Sequence, residues 1–486
     1  MPLLFKTPEP RNQIKMVTLE SQIPQGSEVR LLDELVDSFF EHQDMDKIAC
    51  IQNEKTGASA FSPKELLKLL AYGYRNRINS SRRLEAATYN NIEVMFLLGN
   101  LHPSYHTIAS FRAANKVLFE SFFSFVRDTV LALCKKGEPT TVAIDGTKFK
   151  AYASKTTLQK CKDDLRKAQK ELETYLNEVE KMDRIEDVEE ENSSLREELE
   201  RTKEKLLELE SKVKNAEAKV KEEETKPQRF VNDSDARCMK HKGGQFDASY
   251  NTEVVTEKEL HIVMTYAVTD DANDVQQLAP VSIDALSVAK ENGIDVNKLV
   301  GDSGFCNVKH IQELEKLGVD CIVGVPNVSQ REKDKANGIS FNYDRDNKLV
   351  TCCRGKRLEF VSTKEHRGIN YDVFRASEKD CANCPLRNKC TSSKHGRSVW
   401  VSAEHEWKEE FRKKIEHPEN KELLRDRFGM IENVFGTIKY WAGKCPLLLT
   451  TMKKVCSEVA LYMSSYNIVR LVNLCGFGRK LALGTQ

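Results

Sequence analysis

The sequence predicts an α+β protein: a mixed sheet flanked by helices, preceded by an all-helical region and interrupted by a coiled-coil hairpin and a cysteine-rich insertion. Three observations predict it. Residues from about 28 to 135 place apolar side chains at helical spacing. At Thr140 the texture changes to the β-branched run Thr140-Thr141-Val142-Ala143-Ile144, which ends on Asp145 before Gly146. From Tyr250 onward a strand hairpin, a helix, a strand, a helix and a strand succeed one another, the order of a sheet covered by helices.

In the helical region Val29 to Val36 opens an amphipathic pattern, and Ser62-Pro63-Lys64-Glu65 has the form of a cap with Pro in the first turn. Leu66, Leu67, Leu69, Leu70 and Tyr74 follow, and then the basic edge Arg75, Arg77, Arg82 and Arg83. A helix-turn-helix DNA reader fits this region, and so does a plain helical bundle.

Between Leu158 and Val220 the chain is rich in Glu, Lys and Leu. Leu158, Leu165, Leu172 and Val179 run parallel to Cys161, Ala168, Tyr175 and Met182, paired heptad positions of a coiled coil. The pattern resumes at Leu199, Leu206, Val213 and Val220, with Leu209 and Ala216 beside them. The step from Met182 to Leu199 is 17 residues and breaks register. Ser194-Leu195-Arg196-Glu197 lies between the halves as a capping box. Two antiparallel helices folded into an arm are expected, with an intermolecular coiled coil as the alternative.

Tyr250 to Thr269 alternates Val and Thr with polar residues around Glu257-Lys258-Glu259, as in a hairpin. Helix is expected from Ala279 to about Asn292 and again from Val308 to Leu317. A short strand ends in Gly301-Asp302-Ser303-Gly304, and Cys321 to Pro326 reads as another.

With 486 residues, two to four structural units are expected. No window reaches the roughly 18 apolar residues of a membrane span, and the N-terminus has no signal-peptide pattern. A cytoplasmic protein with no membrane partner follows as the expectation. Lys and Arg number 75 against 74 Asp and Glu, yet much of the acid sits between about 170 and 224. Elsewhere the chain is basic, notably at the arginine edge and from Lys408 to Lys439, where phosphates can be met. Fourteen cysteines without a secretory signal argue against a disulfide framework and for thiols, some of them metal ligands.

Asp145 and Asp302 end strands, and each is followed within two residues by Gly, so both are delivered to one sheet edge. Carboxylates in that arrangement suit hard divalent cations, which take oxygen ligands and keep positions open for phosphate and water. The third candidate is Glu432 in Arg427-Phe428-Gly429-Met430-Ile431-Glu432-Asn433-Val434-Phe435-Gly436-Thr437-Ile438-Lys439. On a helix Glu432 and Lys439 share a face while Val434, Phe435 and Ile438 pack inward. A surface Glu and Lys on an amphipathic helix is the competing reading. Asp233, Asp235 and Asp247 are spare carboxylates that end no clear strand. His241, near Arg237 and Lys240, reads as a solvent-exposed loop residue, with a DNA contact as the alternative.

Taken together, these motifs resemble the three acidic motifs of the DDE transposases of bacterial insertion sequences: Ala-Ile-Asp145-Gly-Thr-Lys, Gly-Asp302-Ser-Gly-Phe and Ile-Glu432-Asn-Val-Phe-Gly-Thr-Ile-Lys. Pro103 to Arg112 is similar to the end of that family's helical region, Tyr250-Asn251 and Asn273-Asp274 to its paired residues, and Tyr466 to Arg470 to its final helix. The resemblance implies a ribonuclease H-like core in which Asp145, Asp302 and Glu432 hold Mg²⁺ or Mn²⁺. It also implies double-stranded DNA as substrate, both transposon ends and target, a homo-oligomer that pairs the two ends, and association with the nucleoid when DNA is bound. Arg427 and Lys439 match basic residues that flank the Glu and would position phosphates, as would Arg82 and Arg83 in the helical region. Tyr440 and Asn433-Val434 depart from the pattern.

From Asp302 to Glu432 is 130 residues, more than one connection needs. Within this insertion Cys381 and Cys384 have zinc-knuckle spacing, and Cys353 and Cys390 complete a four-thiolate set for a structural Zn²⁺. The resemblance includes a cysteine-rich insertion here, and reduced, unligated thiols are the alternative. Cys352 is left as the odd thiol. The expected organisation is a helical DNA-binding region at 1–135, first core strands at 136–155, the hairpin at 156–228 and core at 229–330. The cysteine-rich insertion then occupies 331–400, and C-terminal helices with the Glu occupy 401–486. The function expected is DNA cleavage and joining of 3′-hydroxyl ends. A catalytically inactive DNA-binding descendant and a nuclease without strand transfer are the alternatives.

Overall fold

A computed structural model describes residues 16–43, 60–133, 138–153, 155–186, 193–226, 229–241, 243–326, 334, 336–344, 346–366, 369–402, 404–443 and 447–475. The helical spacing of the first part forms helices Glu28–Glu41, Pro63–Arg75, Ser81–Asn90, Ile92–Leu98, Tyr105–Ala114 and Lys116–Leu131. Ser62 caps the second of these, its hydroxyl accepting from Lys64 N–H at 3.2 Å, and Pro63 opens the first turn where a missing N–H costs nothing. Leu66, Leu67, Leu69 and Leu70 bury against the apolar stripe Leu32, Leu35, Val36 and Phe39 of the helix before it.

The main sheet has the spatial order β2-β3-β1-β5-β6, with β4 also on β3. The strands are β1 Thr140–Lys150, β2 Arg237–Lys240, β3 Phe246–Glu257, β4 Val263–Thr269, β5 Val296–Gly301 and β6 Asp320–Val323. The β4, β3 and β1 strands are antiparallel, and β1, β5 and β6 are parallel. Helices Leu278–Glu291 and Val308–Lys316 make the crossovers that parallel strands require. The chain is α+β with an N-terminal helical region, and the sheet order is ribonuclease H-like.

Helix Met452–Cys475 is buried on nearly every side from Val455 to Ile468 and joins the helical region to the sheet. Asn467 closes the edge of β4 like a strand residue, accepting from Val263 N–H and donating to Val263 C=O, both at 2.9 Å. Glu458 accepts from Tyr74 O–H at 2.9 Å and from the backbone of Leu448 and Leu449. Arg112 donates to Asn79 C=O at 2.6 Å and to Ser81, and Asn79 donates to the Tyr462 hydroxyl. These buried groups pin the helical region to the core.

Two long helices, Thr157–Glu186 and Ser193–Glu224, leave the core after β1 and run antiparallel. Thr157 meets Glu223 at one end, and Tyr175 lies against Thr202 and Lys205 further out. Leu158, Cys161, Leu165, Ala168, Leu172, Tyr175 and Val179 are half-buried, and Leu209 and Val220 are buried. The turn, and the side chains of Met182, of Ser194 to Glu197 and of Leu199, lie outside the described residues.

The segment read only as cysteine-rich has more structure than its sequence suggested. Strands β7 Phe341–Asp344, β8 Leu349–Cys352, β9 Arg357–His366, β10 Ile369–Ala376 and β11 Ser398–Ser402 form an antiparallel meander in the order β11-β10-β9-β8-β7. It has its own small core of Val350, Leu358, Phe374, Ala376 and Val401. The chain then enters helices His405–Glu416 and Pro418–Ala442. No helix among the described residues is long and apolar enough to cross a membrane.

Candidate active site

Register brings the two aspartates together. In the parallel pair β1–β5, Ile144 stands opposite Gly301, so the next residues, Asp145 and Asp302, are neighbours across two strands. Asp302 then caps the short turn Ser303–Phe305, its Oδ1 accepting from Gly304 N–H at 2.7 Å. Asp145 Oδ1 accepts from Gly146 N–H at 2.8 Å. Burial pushes the Asp145 carboxyl above its ordinary range; Arg427 works against that shift, and the nearby charge of Asp302 adds to it.

Arg427 comes from helix Pro418–Ala442. Met430, Ile431, Val434, Phe435 and Ile438 bury one face of this helix, which crosses β1, β3, β5 and β6. Arg427 lies at i−3, i−4 and i−7 from Met430, Ile431 and Val434, so it faces the sheet too. Its Nη1 reaches Asp145 Oδ2 at 2.8 Å, with both side chains less than one-fifth exposed. The structure thus places Arg427 on a carboxylate rather than on the open surface. Glu432 is half-buried at the flank of the same helix, and Lys439 is exposed two turns on. Arg82 and Arg83 are exposed on helix Ser81–Asn90, with Arg82 over the Tyr105 ring.

A further carboxylate stands at this edge. Asp274 accepts from Asn251 Nδ2 at 2.5 Å, and Asn251 also donates to Glu253 Oε1 at 2.7 Å. A Cβ at Gly146 would stand 2.9 Å from Asp274 Oδ1; one at Gly304 would stand 3.0 Å from Asp302 Oδ1 and 3.5 Å from Asp274 Oδ2. The two glycines therefore leave room for the aspartates. Burial raises the Asp274 carboxyl, Asn251 opposes the rise and Asp302 reinforces it. Glu253 is fully buried, its Oε2 has no hydrogen-bond partner among the described residues, and burial together with Asp274 pushes its carboxyl up to about 8. Sequence reading noticed Asn251 and Asp274 only as members of pairs, because neither Asp274 nor its loop carries a strand signal.

The spare carboxylates Asp233 and Asp235 have structural partners. Asp233 accepts from Tyr250 O–H at 2.7 Å and from Thr451 N–H, and Asp235 accepts from Met452 N–H at the start of the last long helix. Asp247 pairs with Lys150 at 3.0 Å. His241 is half-buried, contrary to its reading as a solvent-exposed residue, because its Nε2 bonds Ser249 Oγ across the β2–β3 pair at 2.7 Å.

Hard carboxylate oxygens held at one sheet edge are donors that suit a divalent cation. The guanidinium on Asp145 shows that positive charge is accommodated there. Among the described residues, however, no group of three His, Cys, Asp or Glu side chains is gathered closely enough to hold a metal ion. The same holds for the cysteines. Cys381, Cys384 and Cys390 are neighbours, and burial raises the Cys390 thiol. Cys353 is exposed, whereas Cys352 packs with Cys381 against the small core of the second sheet.

A ribonuclease H-like sheet with aspartates on neighbouring strands, a Glu-bearing helix laid across them and a helical N-terminal region defines the class. Residues 351–472 match a family model described as a transposase DDE domain, and residues 17–114 match one described as a transposase domain (DUF772). The first match begins within β8 and covers β9 to β11, Glu432 and most of the last long helix. Together the matches support a DDE transposase of insertion-sequence type. A comparison with curated proteins finds no match.

Proposed function

We propose that the protein binds the ends of an insertion sequence, cleaves the DNA and joins the freed 3′-hydroxyl to target DNA. The observation that carries this reading is the register of β1 on β5, which sets Asp145 and Asp302 side by side. Asp145, Asp302 and Glu432 would hold Mg²⁺ or Mn²⁺. Once bound, such ions activate an attacking oxygen and stabilise the leaving one. Arg427 balances the charge of Asp145 and aligns the Glu432 helix, while Lys439, Arg82 and Arg83 bind phosphates. Asn251 holds Asp274 at the same edge, and buried Glu253 keeps its proton, limiting the negative charge there. The protein works as a homo-oligomer, because two ends must be paired. Zinc at Cys353, Cys381, Cys384 and Cys390 is assigned no step.

The test is cleavage and joining of a plasmid carrying the element's own ends, with Mg²⁺, by the wild type and Asp302→Asn. The substitution nearly preserves volume and removes the charge. Cutting and joining by the wild type, with end binding alone by the variant, supports the proposal. End binding without cutting by both proteins supports an inactive DNA-binding descendant instead, and cutting without joined product supports a nuclease.

A further inference from the structure

The loop between helices Pro63–Arg75 and Ser81–Asn90 carries an exposed arginine in an unusual conformation. Arg77 has φ +62°, in the left-handed region that non-glycine residues rarely adopt. Its guanidinium carbon sits 3.5 Å from the centre of the Tyr440 ring. Tyr440 is 62% exposed and follows Lys439 on the Glu432 helix. Two distant parts of the chain therefore meet on the helix that carries Glu432 and Lys439.

The loop is fixed in place. Ile78 N–H donates to Gly73 C=O at 2.7 Å, Asn79 donates to Tyr462 at 2.9 Å and Arg112 donates to Asn79 C=O at 2.6 Å. Gly73 is required for this closure, since a Cβ there would stand 2.6 Å from Leu84 Cδ2 and 2.8 Å from Ile78 C=O. A rigid seat thus holds a strained, exposed residue, the combination found where backbone strain serves function. Stacking on Tyr440 uses the face of the guanidinium and leaves its in-plane N–H donors outward, and none of them has a partner among the described residues. Such a planar fork matches phosphate oxygens.

Other cations continue the patch toward the carboxylates. Burial opposes protonation of His241; Lys148, Lys150 and Lys439 lie close enough to add to that effect, and Lys148 also acts on Asp274. Lys150 is paired with Asp247, whereas Lys148 Nζ bonds Lys240 C=O.

We infer that Arg77, stacked on Tyr440, forms with Lys439 a composite site for a backbone phosphate of duplex DNA, built jointly by the helical region and the Glu432 helix. The site deepens the proposed function and rests on it. It couples the helical region to the sheet edge through the DNA itself.

The experiment measures binding of two labelled duplexes without divalent metal, one carrying the element's end and one of unrelated sequence, over a range of salt. Arg77→Gly is the main variant, because glycine accepts the positive φ and so keeps the loop while removing the charge. Its affinity for both duplexes is expected to fall by a similar factor, roughly 5- to 10-fold near physiological salt, with the slope of log affinity against log salt reduced by about 1. Tyr440→Ala is expected to weaken binding in the same direction, and Arg77→Lys to restore it only in part. Melting of Arg77→Gly should match the wild type, which separates lost charge from lost fold. Wild-type affinity and slope in Arg77→Gly would overturn the inference while leaving the proposed function standing. Weakened binding of the end duplex alone would also overturn it, since phosphate contacts do not distinguish sequence. Failure of the wild type to bind either duplex would overturn both readings.

Discussion

Arg427 and Asp145, 282 residues apart in sequence, form an ion pair at 2.8 Å, and it joins the Glu432 helix to the central strand of the sheet. Both partners are mostly shielded, and Asp302 is the neighbouring charge. Removing the cation leaves a desolvated carboxylate beside another one. Arg427→Ala is therefore expected to lower stability by about 1.5–3 kcal/mol, the range for hydrogen bonds to charged groups. Asp145→Asn should cost less, because it removes the repulsion along with the pair. Urea midpoints at neutral pH check the order of the two variants; equal stability in Arg427→Ala and wild type would contradict it.

Glu253 gives a pH prediction with a defined sign. In the fold its carboxyl keeps its proton up to about 8, whereas the ordinary value is 4.5. Between these values the native state binds more protons than the unfolded chain, so this group's contribution is complete below 4.5 and is lost as pH rises through 8. The loss approaches roughly 1.4 kcal/mol per pH unit within that window. Glu253→Gln has no proton to release and should flatten the decline. Its amide oxygen can still accept from Asn251. Urea midpoints from pH 5 to 9 that run parallel for the two proteins would remove Glu253 as the cause.

Much of this arrangement could be read from local sequence. The β-branched run before Asp145 and the short run before Asp302 gave both strands, and the spacing of Val434, Phe435 and Ile438 gave the buried face of the Glu432 helix. Local pattern cannot report which strands become neighbours, so the pairing of Asp145 with Arg427 and the approach of Asp274 were out of reach. Asp274 lies in a connection, where neither alternation nor helical spacing marks an inward residue. The second sheet was missed for a related reason. Exposed apolar residues on its strands, such as Trp400 and Phe360, broke the alternation, and the cysteines drew the reading toward a metal site.

The Asp274 geometry makes Gly146 a critical position. An alanine Cβ would stand 2.9 and 3.2 Å from the two Asp274 oxygens and 3.0 Å from the carbon between them. The whole carboxylate would have to move, disturbing Asn251 and the space next to Asp302. Gly146→Ala is expected to reduce DNA cleavage by roughly 10- to 100-fold, the scale of an ångström-level misplacement at a reacting centre. End binding without metal should be unchanged. Single-turnover cleavage beside a binding titration separates the two effects, and wild-type cleavage would mean that the position of Asp274 is immaterial to the reaction.

The helical arm allows a test of modularity. Its two feet are tied together at the core: Thr157 N–H donates to Arg229 C=O at 2.8 Å, Val231 N–H donates to Lys155 C=O at 3.0 Å, and Thr156 bridges Phe230. Phe230 is buried, so this junction belongs to the core rather than to the arm. The chain entering and leaving the arm is therefore already closed at its base, and a short linker can span the gap at small entropic cost. Replacing residues 158–226 with a short Gly-Ser linker should leave a folded protein whose stability changes by no more than about 1 kcal/mol, because among the described residues the two arm helices pack on each other. Asp145 and Asp302, set by the β1–β5 register, should keep their relationship, so nicking of a single DNA end should persist. If the arm brings two copies together, joining of paired ends falls while nicking survives. Loss of cooperative unfolding in the shortened chain would show instead that the arm stabilises the core.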